Sequence, residues 1–155
     1  MKAAEITDRI LSELQSGRWR HARLNYANGD MVGHTGRLDA SILAVEAVDL
    51  QLGRLIRTIG ALDGALIVTA DHGNCDEMYE LGKDGNPKLD AEGRPSPRTS
   101  HSLNPVPFYV HAPNARGLRL NTRVEAPTLA NVAATALYLM GYAAPTGYAP
   151  SLVES

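Results

Sequence analysis

Residues 65–70 (ALIVTA) limit the fold more than any other part of the chain. The run is continuous in small and branched apolar residues, is bounded by Asp63-Gly64 and Asp71, and is too short to be a buried helix. It reads as a strand covered on both faces, as in a parallel sheet. Around it, apolar residues recur at helical spacing. Residues 3–15 place Ile6, Ile10, Leu11 and Leu14 on one face before Gly17. Residues 37–59 carry Leu38, Ile42, Val45, Val48, Leu52, Leu55, Ile56 and Ile59 at steps of three or four up to Gly60. That helix would be about 35 Å long. Residues 128–140 form a third helix, opened by Pro127 at its first position and closed by Gly141. Residues 21–27 alternate and end at Asn28-Gly29, which predicts a strand running into a loop. Residues 106–111 predict another strand, with Pro107 at its start or on an edge. Strands alternating with helices make an α/β domain, in which ligands bind beyond the carboxyl ends of strands. Residues 74–100, rich in Gly and Pro, form a long loop with one helical turn near residues 77–81 and no internal repeat.

Composition narrows the class further. A chain of 155 residues fits one domain, with roughly two-thirds of its unfolded surface buried. With 44% apolar and 21% charged residues, it is neither disordered nor fibrous. A formal charge of -2 leaves no excess of Lys and Arg for a nucleic-acid backbone. The single Cys75 cannot close an internal disulfide and points to a reducing compartment. No run approaches the roughly 18 apolar residues of a membrane span, and no signal-peptide core is seen. A cytoplasmic location with no membrane and no nucleic-acid partner is expected.

Three segments concentrate metal ligands: residues 28–34 (NGDMVGH), 69–74 (TADHGN) and 99–102 (TSHS). Asp30 and His34 are four apart, so one helical turn, or a loop curled like one, presents carboxylate and imidazole together. Gly29, Gly33 and Gly36 let the backbone bend closely around them. Asp71 and His72 are adjacent; beyond a strand end they can splay toward two ions, or toward one ion and a neighbouring group. Such a set suits phosphoryl or sulfuryl transfer, in which two divalent ions about 4 Å apart hold nucleophile and phosphoryl oxygen. Mixed Asp and His ligands favour manganese or zinc over calcium, and composition tilts the choice to manganese.

Each piece alone also has a plainer reading. Asp71-His72-Gly73 can be a capped turn, Asp30 and His34 a capping pair, and His101 an exposed loop histidine. It is the occurrence of all three at strand ends and in the long loop that argues for one site. Cys75 has no second cysteine for a thiolate zinc site. His21 and His111 read as packed or exposed, and Lys83, Lys88, Arg94 and Arg98 as a solvated charge set. Trp19 and the tyrosines show no spacing suited to base stacking.

At these residues the sequence resembles the cofactor-independent (2,3-bisphosphoglycerate-independent) phosphoglycerate mutases of the alkaline phosphatase superfamily. Residues 24–36 (LNYANGDMVGHTG) are similar to that family's first metal loop, residues 69–74 to its second, and residues 99–107 (TSHSLNPVP) to its third. The resemblance implies a three-layer alkaline-phosphatase-like sheet with flanking helices, incomplete in this chain. It implies two manganese ions, one held by Asp30, His34 and His101 and the other by Asp71 and His72, with zinc or another divalent metal as alternatives. It further implies interconversion of 3-phosphoglycerate and 2-phosphoglycerate in glycolysis and gluconeogenesis, through a phosphoserine and without 2,3-bisphosphoglycerate.

The departures from that family matter as much. Its nucleophilic serine, a further metal-binding aspartate and its substrate-gripping residues all precede the region matched. Ser41, Ser100 and Ser102 do not correspond to the nucleophile, so no catalytic residue is assigned in this chain and its substrate-binding residues are unknown. Residues 1–8 resemble an internal family segment. Residues 1–155 are therefore expected to be the C-terminal portion of the phosphatase-like domain, partnered by an absent N-terminal portion and inactive alone. Two other readings stand beside this: a non-catalytic metal-binding remnant that can pair with a separate N-terminal chain, and another phosphatase or sulfatase of the superfamily. The Asn104-Pro-Val-Pro107 segment and the long first motif favour the mutase.

Overall fold

A computed structural model describes all 155 residues, which divide into two compact units. The first comprises residues 1–58 and 72–107, the second residues 59–71 and 108–155. No helix is long and apolar enough to cross a membrane.

In the first unit α1 (Ala3–Gln15) buries Ala3 and Thr7, with Ile6, Ile10, Leu11 and Leu14 half-buried beside them as the helical spacing requires. Thr7 is fully buried; its hydroxyl donates to the Ala3 carbonyl and shares a 2.5 Å hydrogen bond with the Tyr26 hydroxyl. That bond ties the helix to the segment leading into the site. A short helix, α2 (Asn28–Gly33), follows directly, and then α3 (Leu38–Ala61). Arg54 of α3 pairs with Asp8 of α1 at 2.5 Å. Leu55, Met78, Ala44 and Ala3 are the buried apolar residues of this unit.

Two expectations fail here. Residues 21–27 are not a strand, and residues 18–26 make no backbone–backbone hydrogen bond. Alternation alone does not make a strand, which exists only through a neighbour's hydrogen bonds. Nor do residues 77–81 form a helical turn, because Tyr79 and Leu81 bridge to Pro97 and Pro87. The long loop instead folds on itself around three residues eight apart. Lys88 N–H donates to the Glu80 carbonyl (2.7 Å), Ser96 N–H to that of Lys88 (2.7 Å), and Glu80 N–H to that of Ser96 (2.9 Å), closing a ring. The turns between are pinned by Asp84, which accepts from the Asn86 N–H, and Asp90, which accepts from those of Glu92 and Arg94. This is a structural repeat that the apolar pattern does not reveal.

In the second unit β1 (Leu66–Thr69) pairs with β2 (Phe108–His111), and Leu66 lies opposite His111. The pairing is antiparallel, and β1 is half-buried with Thr69 exposed, so the expected parallel pairing and full burial do not hold among these residues. A run of apolar residues reports that a strand is wanted, not which strand lies beside it. A second antiparallel pair joins β3 (Arg119–Leu120) to β4 (Val153–Glu154). Against β4 lies α4 (Asn131–Leu139), where Ala134 and Val153 are the buried apolar residues. This helix starts later than Pro127 suggests, because the Asn131 side chain accepts the Thr128 N–H at 2.8 Å and holds residues 128–131 as a separate turn. Its other end follows the sequence signal: Gly141 takes φ 81°, and the Tyr142 N–H reaches back to the Leu137 carbonyl at 2.9 Å.

Candidate metal centre

Helix α2 presents the first two donors. Asp30 lies in its first turn, and His34 caps its end with its N–H on the Asp30 carbonyl at 3.2 Å. The i, i+4 geometry then brings His34 Nε2 to 3.1 Å from Asp30 Oδ1. The third donor comes from the loop after the β-ring: His101 Nε2 stands 2.9 Å from Asp30 Oδ1 and 3.2 Å from His34 Nε2. One carboxylate oxygen and two imidazole nitrogens thus form a triangle, the group of side chains able to hold a metal ion. A tetrahedral ion with bonds of about 2.1 Å would have ligand edges of roughly 3.4 Å. The observed edges are slightly tighter, so the donor set fits such an ion after a small expansion.

His72 sits against this triangle. Its ring stacks on that of His101, with centroids 3.6 Å apart and planes 15° from parallel, and its Nε2 is 3.9 Å from Asp30 Oδ1. Asp71, at the carboxyl end of β1, falls in the second compact unit and is not a member of the triangle.

The ring tautomers follow from hydrogen bonds. His34 Nδ1 is 2.7 Å from the Thr99 carbonyl, and His72 Nδ1 is 3.3 Å from that of Gly73. A carbonyl only accepts, so each Nδ1 carries a proton, and in the neutral ring that tautomer leaves the lone pair on Nε2, the nitrogen nearer Asp30 Oδ1. Asp30 is prepared similarly. Asn74, itself buried, donates to both the Asp30 carbonyl (3.1 Å) and Oδ1 (2.9 Å). This hydrogen bond, helped by the His101 and His34 rings beside the carboxylate and against the opposing effect of burial, holds the Asp30 carboxyl below its usual pKa. An ionised carboxylate and neutral imidazoles are what a divalent cation requires.

Two glycines are explained by close approach. A Cβ on Gly33 would lie 2.2 Å from Asn74 Oδ1, and one on Gly36, where φ is 67°, would lie 2.8 Å from Pro97 Cβ. Gly29 has only ordinary contacts around it, so the expected need for glycine holds at two of the three positions. Gly73 is another: its Cβ would be 2.1 Å from Ser102 Oγ and 2.6 Å from Asp76 Oδ1.

Sequence reasoning passes over the residues that support the donors. Asn74 lies within the second ligand-rich segment but is no metal ligand type by itself, and the Thr99 carbonyl has no side-chain signature. Arg98 was expected to be solvated; its side chain is only 22% exposed and pairs with Glu77 at 3.1 Å. The lysine and arginine at 88 and 94 are exposed, as expected.

A family model for the metalloenzyme superfamily matches residues 1–144. The chain belongs to the metalloenzyme superfamily. Within it, this metalloenzyme chain is 48% identical over 155 residues to a probable 2,3-bisphosphoglycerate-independent phosphoglycerate mutase of Leptospira interrogans, a match covering 100% of the chain and 28% of that protein. It is 48% identical over 158 residues to the 2,3-bisphosphoglycerate-independent phosphoglycerate mutase of Trypanosoma brucei brucei, covering 99% and 28%. Among solved structures, it superposes with a TM-score of 0.96 and 44% identity on Leishmania mexicana phosphoglycerate mutase at low cobalt concentration, covering 99% of this chain and 28% of that one. The α/β class read from the sequence therefore stands, as part of an alkaline-phosphatase-like fold. The metalloenzyme chain spans a little over a quarter of the length of these relatives.

Proposed function

We propose that these residues are the metal-holding part of a 2,3-bisphosphoglycerate-independent phosphoglycerate mutase, interconverting 3-phosphoglycerate and 2-phosphoglycerate in glycolysis and gluconeogenesis in the cytoplasm. The observation that carries this reading is the triangle of Asp30, His34 and His101, whose edges of 2.9, 3.1 and 3.2 Å suit one divalent ion. The names of the similar proteins supply the substrate class. In this reading those three residues hold one manganese ion, and Asp71 and His72 contribute to a second. A bound pair of divalent ions supplies charge stabilisation to a phosphoryl group and acidifies a bound hydroxyl.

The chain's own residues do the preparatory work. Asn74 lowers the Asp30 pKa and aims its carboxylate, Thr99 orients the His34 ring, and the stack of His72 on His101 sets the two rings in register. No serine here matches the family's nucleophile, so these residues by themselves have nothing to accept the phosphoryl group. They are expected to bind metal and to show no mutase turnover.

Metal content of the purified chain tests this, measured after manganese loading for the unsubstituted protein and for Asp30→Ala, His101→Ala and Asp71→Ala. The first two should lose one ion and the third should weaken the other. Metal content unaffected by any of the three would sink the reading. Turnover of 3-phosphoglycerate by this chain alone would overturn the account of the missing nucleophile.

A further inference from the structure

His101 is the donor that the fold must work hardest to place. Asp30 and His34 are fixed relative to each other by one helical turn, whereas His101 lies in an irregular segment, outside every helix and strand. Its ring nonetheless meets both partners at about ligand spacing, so its backbone must be anchored from elsewhere. Two anchors are visible. The neighbouring Ser102 N–H bonds to the Gly73 carbonyl at 3.0 Å, and the His101 carbonyl accepts from Arg98 Nη2 at 3.1 Å.

We propose that Arg98, held by Glu77, is a positioning residue that fixes His101 in the donor triangle. The inference rests on the metal-centre reading above. Three contacts fix Arg98 itself: its N–H bonds to the carbonyl of buried Met78 (2.9 Å), Nη1 bonds to Glu77 Oε1 (3.1 Å), and Nη2 bonds to the His101 carbonyl. The ion pair is sheltered, with side chains 22% and 20% exposed, unlike Arg94, which is 70% exposed. A charge-assisted bond in that setting holds geometry better than a surface pair does.

The guanidinium is used as a fork, one arm on a carboxylate and the other on a carbonyl. A lysine ammonium on its flexible stem does not reproduce that planar span. Glu77 is steadied in turn by Asn104, whose amide donates to Glu77 Oε2 at 3.3 Å and to Asp76 Oδ2 at 2.7 Å. The effect reaches a second donor as well. Thr99, next to Arg98 in the chain, supplies the carbonyl that orients His34. Loosening Arg98 therefore frees two of the three ligands together, and supporting residues of this kind typically change metal affinity by about 10- to 100-fold.

Cobalt(II) serves as the probe, because its visible absorption reports ligand geometry independently of turnover. The full chain is titrated with cobalt, with His101→Ala marking the band that belongs to this centre. Arg98→Lys and Arg98→Ala should bind cobalt about 10- to 100-fold more weakly and shift that band, and Glu77→Gln, which keeps an acceptor for Nη1, should lie between them and the unsubstituted chain. If Arg98→Ala does not fold, Arg98→Lys and Glu77→Gln carry the test. Unsubstituted affinity and an unshifted band in Arg98→Lys overturn the positioning role while leaving the centre intact. Absence of any His101-dependent band in the unsubstituted chain overturns the centre itself, and this role with it.

Discussion

At Gly33 one hydrogen atom in place of a methyl group lets α2 pack directly against the Asn74 side chain. The neighbour is the end of a side chain, Asn74 Oδ1, which could ordinarily swing away. Here it cannot do so freely, because Asn74 is buried and its amide is committed to Asp30. Gly33→Ala should thus cost about 1–3 kcal/mol of stability by overpacking and also weaken metal binding, since Asn74 must leave Asp30 to make room. Urea unfolding read beside a metal titration checks both; a loss of stability with full metal affinity would contradict the link. Asp76 gives a pH-dependent counterpart. Burial works to raise its carboxyl pKa, but bonds from Asn104, Ser102 and backbone N–H groups outweigh it and leave it below the usual 3.8. A carboxyl lowered by folding stabilises the native state above its unfolded pKa, and that contribution disappears as pH falls through the folded value. Asp76→Asn should therefore be less stable than the unsubstituted chain near neutrality, with the gap narrowing below about pH 4 in unfolding curves. Asp30 and His34 were legible as candidate donors because an Asp and a His at i, i+4 carry their geometry with them. Arg98, Asn74 and the Thr99 carbonyl were not, because their roles depend on contacts between residues distant in the chain.

Among the elements, α3 and α4 end by the same device built from different residues. At α3 the Gly64 N–H bonds to the Ile59 carbonyl (2.9 Å) and the Asp63 N–H to that of Gly60 (3.3 Å), with Asp63 in the left-handed region at φ 56°. The helix consequently runs past Gly60, where its sequence signal ends, to Ala61, two residues before the one that takes the turn. A side chain in that conformation is strained, so Asp63→Gly should raise stability by up to about 1 kcal/mol, visible as a higher melting temperature. Helix α4 is bound to β4 through fully buried Thr135, whose hydroxyl donates to the Asn131 carbonyl (2.8 Å) and accepts the Leu152 N–H (2.9 Å). Thr135→Val keeps the shape but strands that N–H, at a cost of about 1–3 kcal/mol, whereas Thr135→Ser keeps the bond and loses only a methyl. Equal stability of the two variants would refute the assignment of the hydroxyl. Helices were legible because their apolar spacing is local. Strand pairing was not: residues 21–27 have the alternation of a strand but no strand paired with them, and residues 65–70 found an antiparallel partner in Phe108–His111.

The molecule as a whole leaves much apolar surface in water. Its buried apolar residues are Ala3, Ala44, Leu55, Met78, Ala134 and Val153, too few large side chains for the self-sufficient core that 155 residues suggest. On α3, by contrast, Leu38, Ile42 and Val45 are 41%, 49% and 47% exposed. Their i, i+4, i+7 spacing puts them on one face. They border a groove of about 260 Å³ with Cys75 and with Ser41, whose buried hydroxyl has no partner. An amphipathic helix normally turns such a stripe inward. In this chain the stripe faces solvent, and an uncovered apolar face of this kind drives association. The double substitution Ile42→Glu with Val45→Glu should then lower self-association across a concentration series in sedimentation velocity, without lowering the melting temperature. Charge at buried positions would instead unfold the protein, so a fall in melting temperature would mean that the stripe is already covered. Unchanged sedimentation with unchanged stability would place the associating surface elsewhere, with the unpaired backbone of residues 18–26 next to be tested.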